Sequence, residues 1–136
     1  MNVNINVYCD GNWDNPEVQI SGSWEELVQL GSVINRINES IILDLPDIAS
    51  EIYPVCLKRL FLDLDEEHNS RITVSIDEKQ LTLTGTKEAL SIIGESLTNY
   101  FDSDTKYGER IRFDYYEGNE VLNETNCVLL FVCHGD

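Results

Sequence analysis

The sequence predicts an α+β fold in which an antiparallel-rich sheet carries two amphipathic helices on one face. The first observation that predicts it is a near-repeat: VQISGSWEELVQLGSVINRI at residues 18–37 has the hydrophobic pattern of LTLTGTKEALSIIGESLTNY at residues 81–100. The second is that each copy lies at the end of a segment that alternates polar and apolar residues, which is typical of a half-buried strand. Because there are only two copies, they indicate a tandem strand-strand-helix unit and not a solenoid.

The first copy is predicted to form a β-hairpin followed by a helix. Residues between the two alternating segments are turn formers, Asp10-Gly11-Asn12 and Asn15-Pro16. Ser23 and Glu26 have the spacing of a capping box, which starts the helix. In chain order, the predicted elements of this half are strands at 2–8 and 17–21, a helix from 24 to about 38, a strand at 41–45, a short helical turn at 47–53 and a strand from about 57 to 64.

The second copy follows the same plan, with Thr86 as the helix cap. Its predicted elements are strands at 71–76 and 80–84, a helix ending near 100, strands at 111–116 and 128–133, and a polar loop at 117–126. Gly31 and Gly94 fall at equivalent positions on the two apolar helix faces. Glycine within a helix costs about 1 kcal/mol relative to alanine, so we expect a compensating close approach of each helix to the sheet.

The length of 136 residues predicts a single domain with pseudo-repeat halves at about 1–68 and 69–136. An apolar content of 42% is typical of a globular chain. No apolar run approaches the ~18 residues that cross a bilayer, and the N-terminus lacks the basic and apolar regions of a signal peptide. We therefore expect a cytoplasmic protein that does not bind membranes. The four widely spaced cysteines fit a reducing compartment, with Cys56 and Cys127 as small buried side chains.

The strongest compositional signal is charge. The chain carries 25 acidic and 9 basic residues, a formal net charge of −16. Such a surface repels nucleic acid and would attract a basic protein partner. Acidity can also serve solubility alone. The excess of acidic residues collects in the segments that follow each helix, 39–70 and 99–126.

No strong catalytic motif is present, and no cofactor or metal is predicted. The chain lacks a phosphate-binding loop, a nucleophile elbow and a zinc-protease motif. Cys127, Cys133 and His134 do not have a common zinc spacing, and the segment 102–108 departs from a calcium loop in its glycine and its closing residue. His68 lies in a polar turn, where a solvated side chain is favoured over a catalytic base. Paired carboxylates for hydrolysis remain an open alternative.

Two acidic segments are the candidate partner-binding sites. At the end of a predicted strand, two tyrosines lie among acids, and tyrosine is enriched at protein interfaces. Strand alternation would bury one tyrosine and expose the other even without a partner. The candidate residues are Asp114, Tyr115, Tyr116, Glu117 and Glu120 in the first segment, and Asp63, Asp65, Glu66 and Glu67 in the second.

Three runs in the second half of the chain also carry a family resemblance. The run Leu81-Thr82-Leu83-Thr84-Gly85-Thr86 with Glu88 and Leu90, the run from Ile111 to Asn119, and Val128 to Phe131 resemble the immunity protein 32 family of bacterial polymorphic toxin systems. The resemblance covers about residues 71–132. It implies a small cytoplasmic non-enzyme that binds and neutralises a cognate toxin, and it offers no catalytic residues.

The first hypothesis is therefore an acidic immunity protein whose partner is a basic, nuclease-like toxin. The alternative is a structural or adaptor domain, homodimeric through an exposed strand edge, in which acidity serves only solubility. A third hypothesis is a carboxylate-based hydrolase, which requires a concave pocket with a carboxyl pair.

Overall fold

The computed structural model describes residues 4–48, 50 and 52–134. Its elements follow in the order β1 (Asn6–Cys9), β2 (Glu17–Gly22), α1 (Trp24–Asn35), β3 (Ile41–Asp44), β4 (Val55–Cys56), β5 (Arg59–Leu64), β6 (Thr73–Asp77), β7 (Gln80–Gly85), α2 (Lys87–Tyr100), β8 (Arg110–Phe113) and β9 (Val128–Cys133). The predicted α+β class and the tandem hairpin-helix units, β1-β2-α1 and β6-β7-α2, are confirmed.

Local sequence signals set the helix starts and the hairpin turn. Ser23 and Glu26 form the complete capping box, with Glu26 N–H donating to Ser23 Oγ at 3.2 Å and Ser23 N–H to Glu26 Oε1 at 2.9 Å. Thr86 Oγ1 accepts from Ala89 N–H at 3.1 Å and begins α2. Glu78 and Lys79 form the two-residue turn between β6 and β7, both with positive φ, as a twisted hairpin requires.

The strands form two mixed sheets and not the single sheet that we expected. Sheet A has the order β4-β1-β2-β9-β8, and sheet B the order β3-β5-β7-β6. In both sheets the second strand of a hairpin from one half pairs in parallel with the last strand of the other half. The strand β2 pairs with β9, and β7 pairs with β5. The remaining pairs are antiparallel. The two halves thus exchange their final strands.

One core joins both sheets and both helices. Side chains that alternate along the strands, such as Ile20 and Phe131 in sheet A and Leu62 and Leu83 in sheet B, are almost fully buried in the same cluster as the apolar faces of the helices. Burial of these faces supplies the main driving force for folding.

The close approach that we predicted at the helix glycines is helix to helix, not helix to sheet. A Cβ atom added to Gly31 would lie 2.7 Å from the Gly94 carbonyl oxygen, and one added to Gly94 would lie 2.9 Å from the Gly31 carbonyl oxygen. The two glycines occupy equivalent positions in the repeat, so they face each other where α1 and α2 cross.

One predicted element and two predicted boundaries are wrong. The described residues of 47–53 form no helical turn, the strand predicted at 111–116 ends at Phe113, and α1 ends at Asn35 and not near 38. The strand predicted at 2–8 is found at Asn6–Cys9, and residues 1–3 of that prediction lie outside the described residues.

Candidate partner-binding surface

The first candidate segment, residues 114–120, is called the acidic loop below. It leaves sheet A at the end of β8, with Tyr115 half-buried and Tyr116 63% exposed. Glu117 and Glu120 are exposed, with their carboxylates free of any hydrogen bond or ion pair to the described residues. The loop thus presents a tyrosine ring beside carboxylates, in the combination that the sequence suggested.

The acidic loop is held in place by Asn119, which is only 5% exposed. Its Nδ2 donates to the Asp114 carbonyl at 2.6 Å, while its Oδ1 accepts from the N–H groups of Val121 at 2.6 Å and Leu122 at 3.2 Å. Gly118, at a φ of +91°, completes the turn in which Asn119 N–H donates to the Tyr116 carbonyl. Sequence reasoning missed Asn119 as a positioning residue, although the Gly118-Asn119 dipeptide is a recognisable turn signal.

The second candidate segment, residues 63–67, is called the acidic turn. Most of its acids already have partners inside the chain. Asp63 Oδ2 accepts from Thr84 Oγ1 at 3.0 Å, and Asp65 Oδ1 accepts from the Glu67 N–H at 3.0 Å. Glu66 Oε1 accepts from the Lys87 N–H at 2.9 Å, at the start of α2. The side chains of these three acids thus have structural roles, and Glu67 is the most available for contact.

A cluster of polar side chains joins the two acidic segments. Asn69 and Asn123 exchange side-chain hydrogen bonds of 3.1 and 3.2 Å, and Asn123 Nδ2 also donates to Thr73 Oγ1 at 2.9 Å. His68 Nε2 lies 2.8 Å from the same hydroxyl, so this histidine belongs to the polar cluster. The chain just beyond the acidic loop therefore lies beside the chain just beyond the acidic turn, although about fifty residues separate them in sequence.

Little of the negative charge is neutralised locally. Within the described part of the chain there is one ion pair, between Arg112 Nε and Asp114 Oδ2 at 3.4 Å, and both side chains are about half exposed. Such a pair contributes little to stability. With 25 acids against 9 bases, the surface potential is dominated by unpaired carboxylates.

Four surface cavities can be compared with the hydrolase hypothesis, which requires a carboxyl pair. In each of these cavities, the described lining residues include at most one carboxylate. One cavity of about 590 Å³ lies on the face of sheet A away from the helices and contains Tyr8 and Tyr53. Burial, followed by its hydrogen bond of 2.7 Å to Glu17, raises the pKa of Tyr53 to about 12. Tyr53 is thus held as a neutral hydrogen-bond donor.

Three of the four cysteines are buried thiols with raised pKa values. Cys9, Cys127 and Cys133 are buried, and Cys56, which we predicted to be buried, is only half-buried. Burial raises the pKa of Cys127 to about 12 and raises the pKa of Cys9 and Cys133 in the same way. Because the thiolate is the nucleophile, these side chains are kept in their unreactive form. Among the described residues, no group of three metal-binding side chains is found.

Comparison with protein-family models, curated proteins and solved structures finds no match to this chain. Within the described residues, neither helix has the length and apolar character needed to cross a bilayer. The surface must therefore be interpreted from its own geometry and charge.

Proposed function

We propose that this protein is a small, acidic, non-enzymatic binding protein of the cytoplasm, an immunity protein that neutralises a cognate basic toxin. The observation that carries the proposal is the anchored acidic loop with its exposed Tyr116, Glu117 and Glu120. The chain that follows this loop is hydrogen-bonded, through Asn123, to Asn69 in the chain that follows the acidic turn. The resemblance over residues 71–132 points to the same class of protein.

The chemistry of the proposed partner follows from the charge. A nuclease toxin binds phosphate through lysine and arginine, so its active surface is basic. A protein with a net charge of −16 would be steered to that surface by long-range attraction and would occlude it. Carboxylates of the acidic loop would contact the cations directly, while those of the acidic turn would contribute chiefly to the field.

Tyr116 is suited to the centre of such a contact. A tyrosine ring offers a large apolar area with few rotatable bonds and a hydroxyl that can form a hydrogen bond. Because Asn119 fixes the backbone on both sides of the loop, binding would not require the loop to be ordered first. This preorganisation favours affinity.

The proposal is tested with the polypeptide encoded immediately upstream of this gene. Its C-terminal domain is expressed in bacteria with and without this protein, and growth is followed together with binding of the two purified proteins at several salt concentrations. We expect the upstream domain to arrest growth, this protein to restore it, and binding to weaken as salt rises. An upstream product that is harmless and does not bind would contradict the proposal.

Matched variants locate the surface. Glu117→Gln with Glu120→Gln removes two charges from the acidic loop, and we expect association to slow about tenfold. Asp14→Asn with Glu39→Gln removes two charges from exposed positions elsewhere and is expected to have a smaller effect. Equal effects of the two pairs would mean that only net charge matters, and the loop would then not be the contact surface.

A specific observation also favours the alternative, a homodimeric adaptor. On the face of sheet B away from the helices, Ile42 of the edge strand β3 is 58% exposed beside the half-buried Phe61. Light scattering over a range of protein concentrations distinguishes the two proposals. A dimer that is lost in Ile42→Lys would support the adaptor, whereas a concentration-independent monomer would support a protein that awaits another partner.

A further inference from the structure

The edge of sheet A formed by β8 has unpaired backbone groups. Ile111 lies opposite Phe131 in the register with β9, and the Cys133 N–H donates to the Glu109 carbonyl at 2.8 Å. Backbone direction alternates along an antiparallel strand, so Ile111 and Phe113 point their N–H and C=O groups toward β9. The N–H and C=O groups of Arg110 and Arg112 point outward from the free edge of the sheet, where an added strand would pair with them.

An apolar groove lies beside this edge. A cavity of about 710 Å³ separates β8 from the outer side of α2. Ile92, Tyr100 and Ile111 supply its apolar lining, and the rest of the lining is Glu95, Ser96, Asn99, Arg110 and Arg112. Ile92 is 38% exposed and Tyr100 is 47% exposed. Tyr100 is fixed by an edge-to-face contact with the buried Phe101, at a ring separation of 5.0 Å. The groove therefore offers apolar contacts on the helix-facing side of the strand edge.

The edge is also basic, since Arg110 and Arg112 border the groove and, by the alternation of β8, direct their side chains to the other side of the strand. Arg110 and Arg112 lie opposite Val132 and Leu130, on the face of sheet A that turns away from the helices. Both arginines are exposed. They place two of the chain's 9 basic residues next to each other on one strand. Alternate side chains of an added strand would thus lie on its two sides. Those on one side would contact the arginine side chains, and those on the other would enter the groove.

This charge pattern disfavours a second copy of the chain as the occupant in the registers that bring arginine opposite arginine. Two β8 strands paired edge to edge would bring arginines near arginines, and like charges opposite each other destabilise a strand pair. Acidic side chains at the same positions would stabilise it. Asp114 of the chain itself already takes one such position beside Arg112, and this exposed pair can be exchanged for another carboxylate.

We infer that the β8 edge binds an extended segment of a partner protein in which acidic and apolar side chains alternate. The segment adds a strand to sheet A, placing its carboxylates against Arg110 and Arg112 and its apolar side chains in the groove beside Ile92 and Tyr100. Strand addition of this kind takes affinity from the backbone bonds and specificity from the alternate side chains. The inference does not rest on the proposed toxin binding, which uses the acidic loop that follows β8 and a basic partner.

The test uses two short synthetic peptides and the full-length protein. In one peptide isoleucine alternates with glutamate, and in the other isoleucine alternates with lysine. Amide hydrogen exchange is followed by NMR. We expect the glutamate peptide, and not the lysine peptide, to slow exchange at the amides of Arg110 and Arg112, with little change at Ile111 and Phe113. Unchanged exchange at Arg110 and Arg112 at saturating glutamate peptide would overturn the inference.

Charge reversal provides the specificity control. In Arg110→Glu with Arg112→Glu, the preference should change to the lysine peptide by about tenfold, a result that a purely structural role of the arginines would not produce. If the wild type has no preference and Arg110→Val with Arg112→Val self-associates, the arginines serve only to keep the edge unpaired, and the inference fails.

A second pair of variants tests the groove. Ser96→Trp places an indole in the groove and should weaken binding of the glutamate peptide about tenfold. Ser91→Trp, on the same helix but outside the groove lining, is the matched control and should bind as the wild type does. Equal binding by both variants would mean that the peptide does not enter the groove.

Discussion

At the scale of single residues, Gly31 and Gly94 determine how closely the two helices approach. At Gly31 a Cβ atom would lie 2.7 Å from a backbone oxygen and 2.9 Å from Leu97 Cβ, distances that real Cβ contacts do not show. At Gly94 it would contact the side-chain oxygen of Asn35. The cost of glycine in a helix is therefore offset by packing that no larger residue permits.

Gly31→Ala is expected to lower the free energy of unfolding by about 1–3 kcal/mol, the range for overpacking a core. Helix propensity alone predicts the opposite, a gain of about 1 kcal/mol. The sign of the change therefore shows whether a methyl group at position 31 meets the other helix or enters open space. Urea denaturation measures it. Ser91→Ala, at a half-exposed position of α2, is the control and should stay within about 0.5 kcal/mol of the wild type. A stabilised Gly31→Ala would mean that the helices do not touch there.

At the scale of secondary-structure elements, the two helices begin by different means. Helix α1 has a complete capping box from its own sequence. Helix α2 has alanine at the position where the box needs glutamate or glutamine, so Thr86 satisfies only one amide. Glu66 of the acidic turn supplies the second acceptor, to the Lys87 N–H. The negative charge there also complements the helix dipole.

Glu66→Ala is therefore expected to reduce stability by about 1 kcal/mol, through loss of the cap. Glu67→Ala removes the same charge from the next residue, which is exposed, and should have almost no effect on stability. Thermal unfolding of the two variants measures the difference. Equal melting temperatures for the two variants would indicate that Glu66 acts only as a surface charge.

The elements also show what the sequence could predict. Helix starts, both hairpins and the strand Val128–Cys133 follow from local patterns, because caps, turns and alternation are properties of neighbouring residues. Two features do not. The strand β8 ends at Phe113. Just beyond it, the Asp114 carbonyl accepts a hydrogen bond from the Asn119 side chain, a bond between a loop side chain and the backbone. The division into two sheets depends on pairings such as Ile20 with Phe131, which alternation leaves undetermined.

The candidate surface was predictable to a similar degree. Composition identified the acidic segments and the tyrosine pair, of which the structure exposes Tyr116. It could not distinguish Glu67 from Glu66, since the hydrogen bond of Glu66 to α2 arises only when the turn after β5 meets the start of the helix. Nor could it foresee the link between Asn69 and Asn123, which joins the chain beyond the acidic turn to the chain beyond the acidic loop.

At the scale of the whole molecule, the exchange of strands makes the two halves interdependent. The β1-β2 hairpin of the first half pairs with β9 of the second, and the β6-β7 hairpin of the second pairs with β5 of the first. Each half alone would expose the edges of β2 or β7 and the helix face that contains its glycine. A chain of this size has little apolar surface to spare, since a 60-residue domain buries only about 60% of its unfolded surface.

We therefore predict that residues 1–68 and 69–136 do not fold separately but fold when mixed. A protease site inserted between the half-buried His68 and the exposed Asn69, in the bend before β6, gives both fragments from one protein. The cut but unseparated protein should keep its near-ultraviolet circular dichroism, because the parallel pairs β2-β9 and β5-β7 hold the halves together. After separation in urea and removal of the urea, each fragment alone should lack that signal, and an equimolar mixture should regain it. A fragment that folds alone, with its own dispersed NMR spectrum, would contradict the exchanged pairing, since its hairpin would then need no strand from the other half.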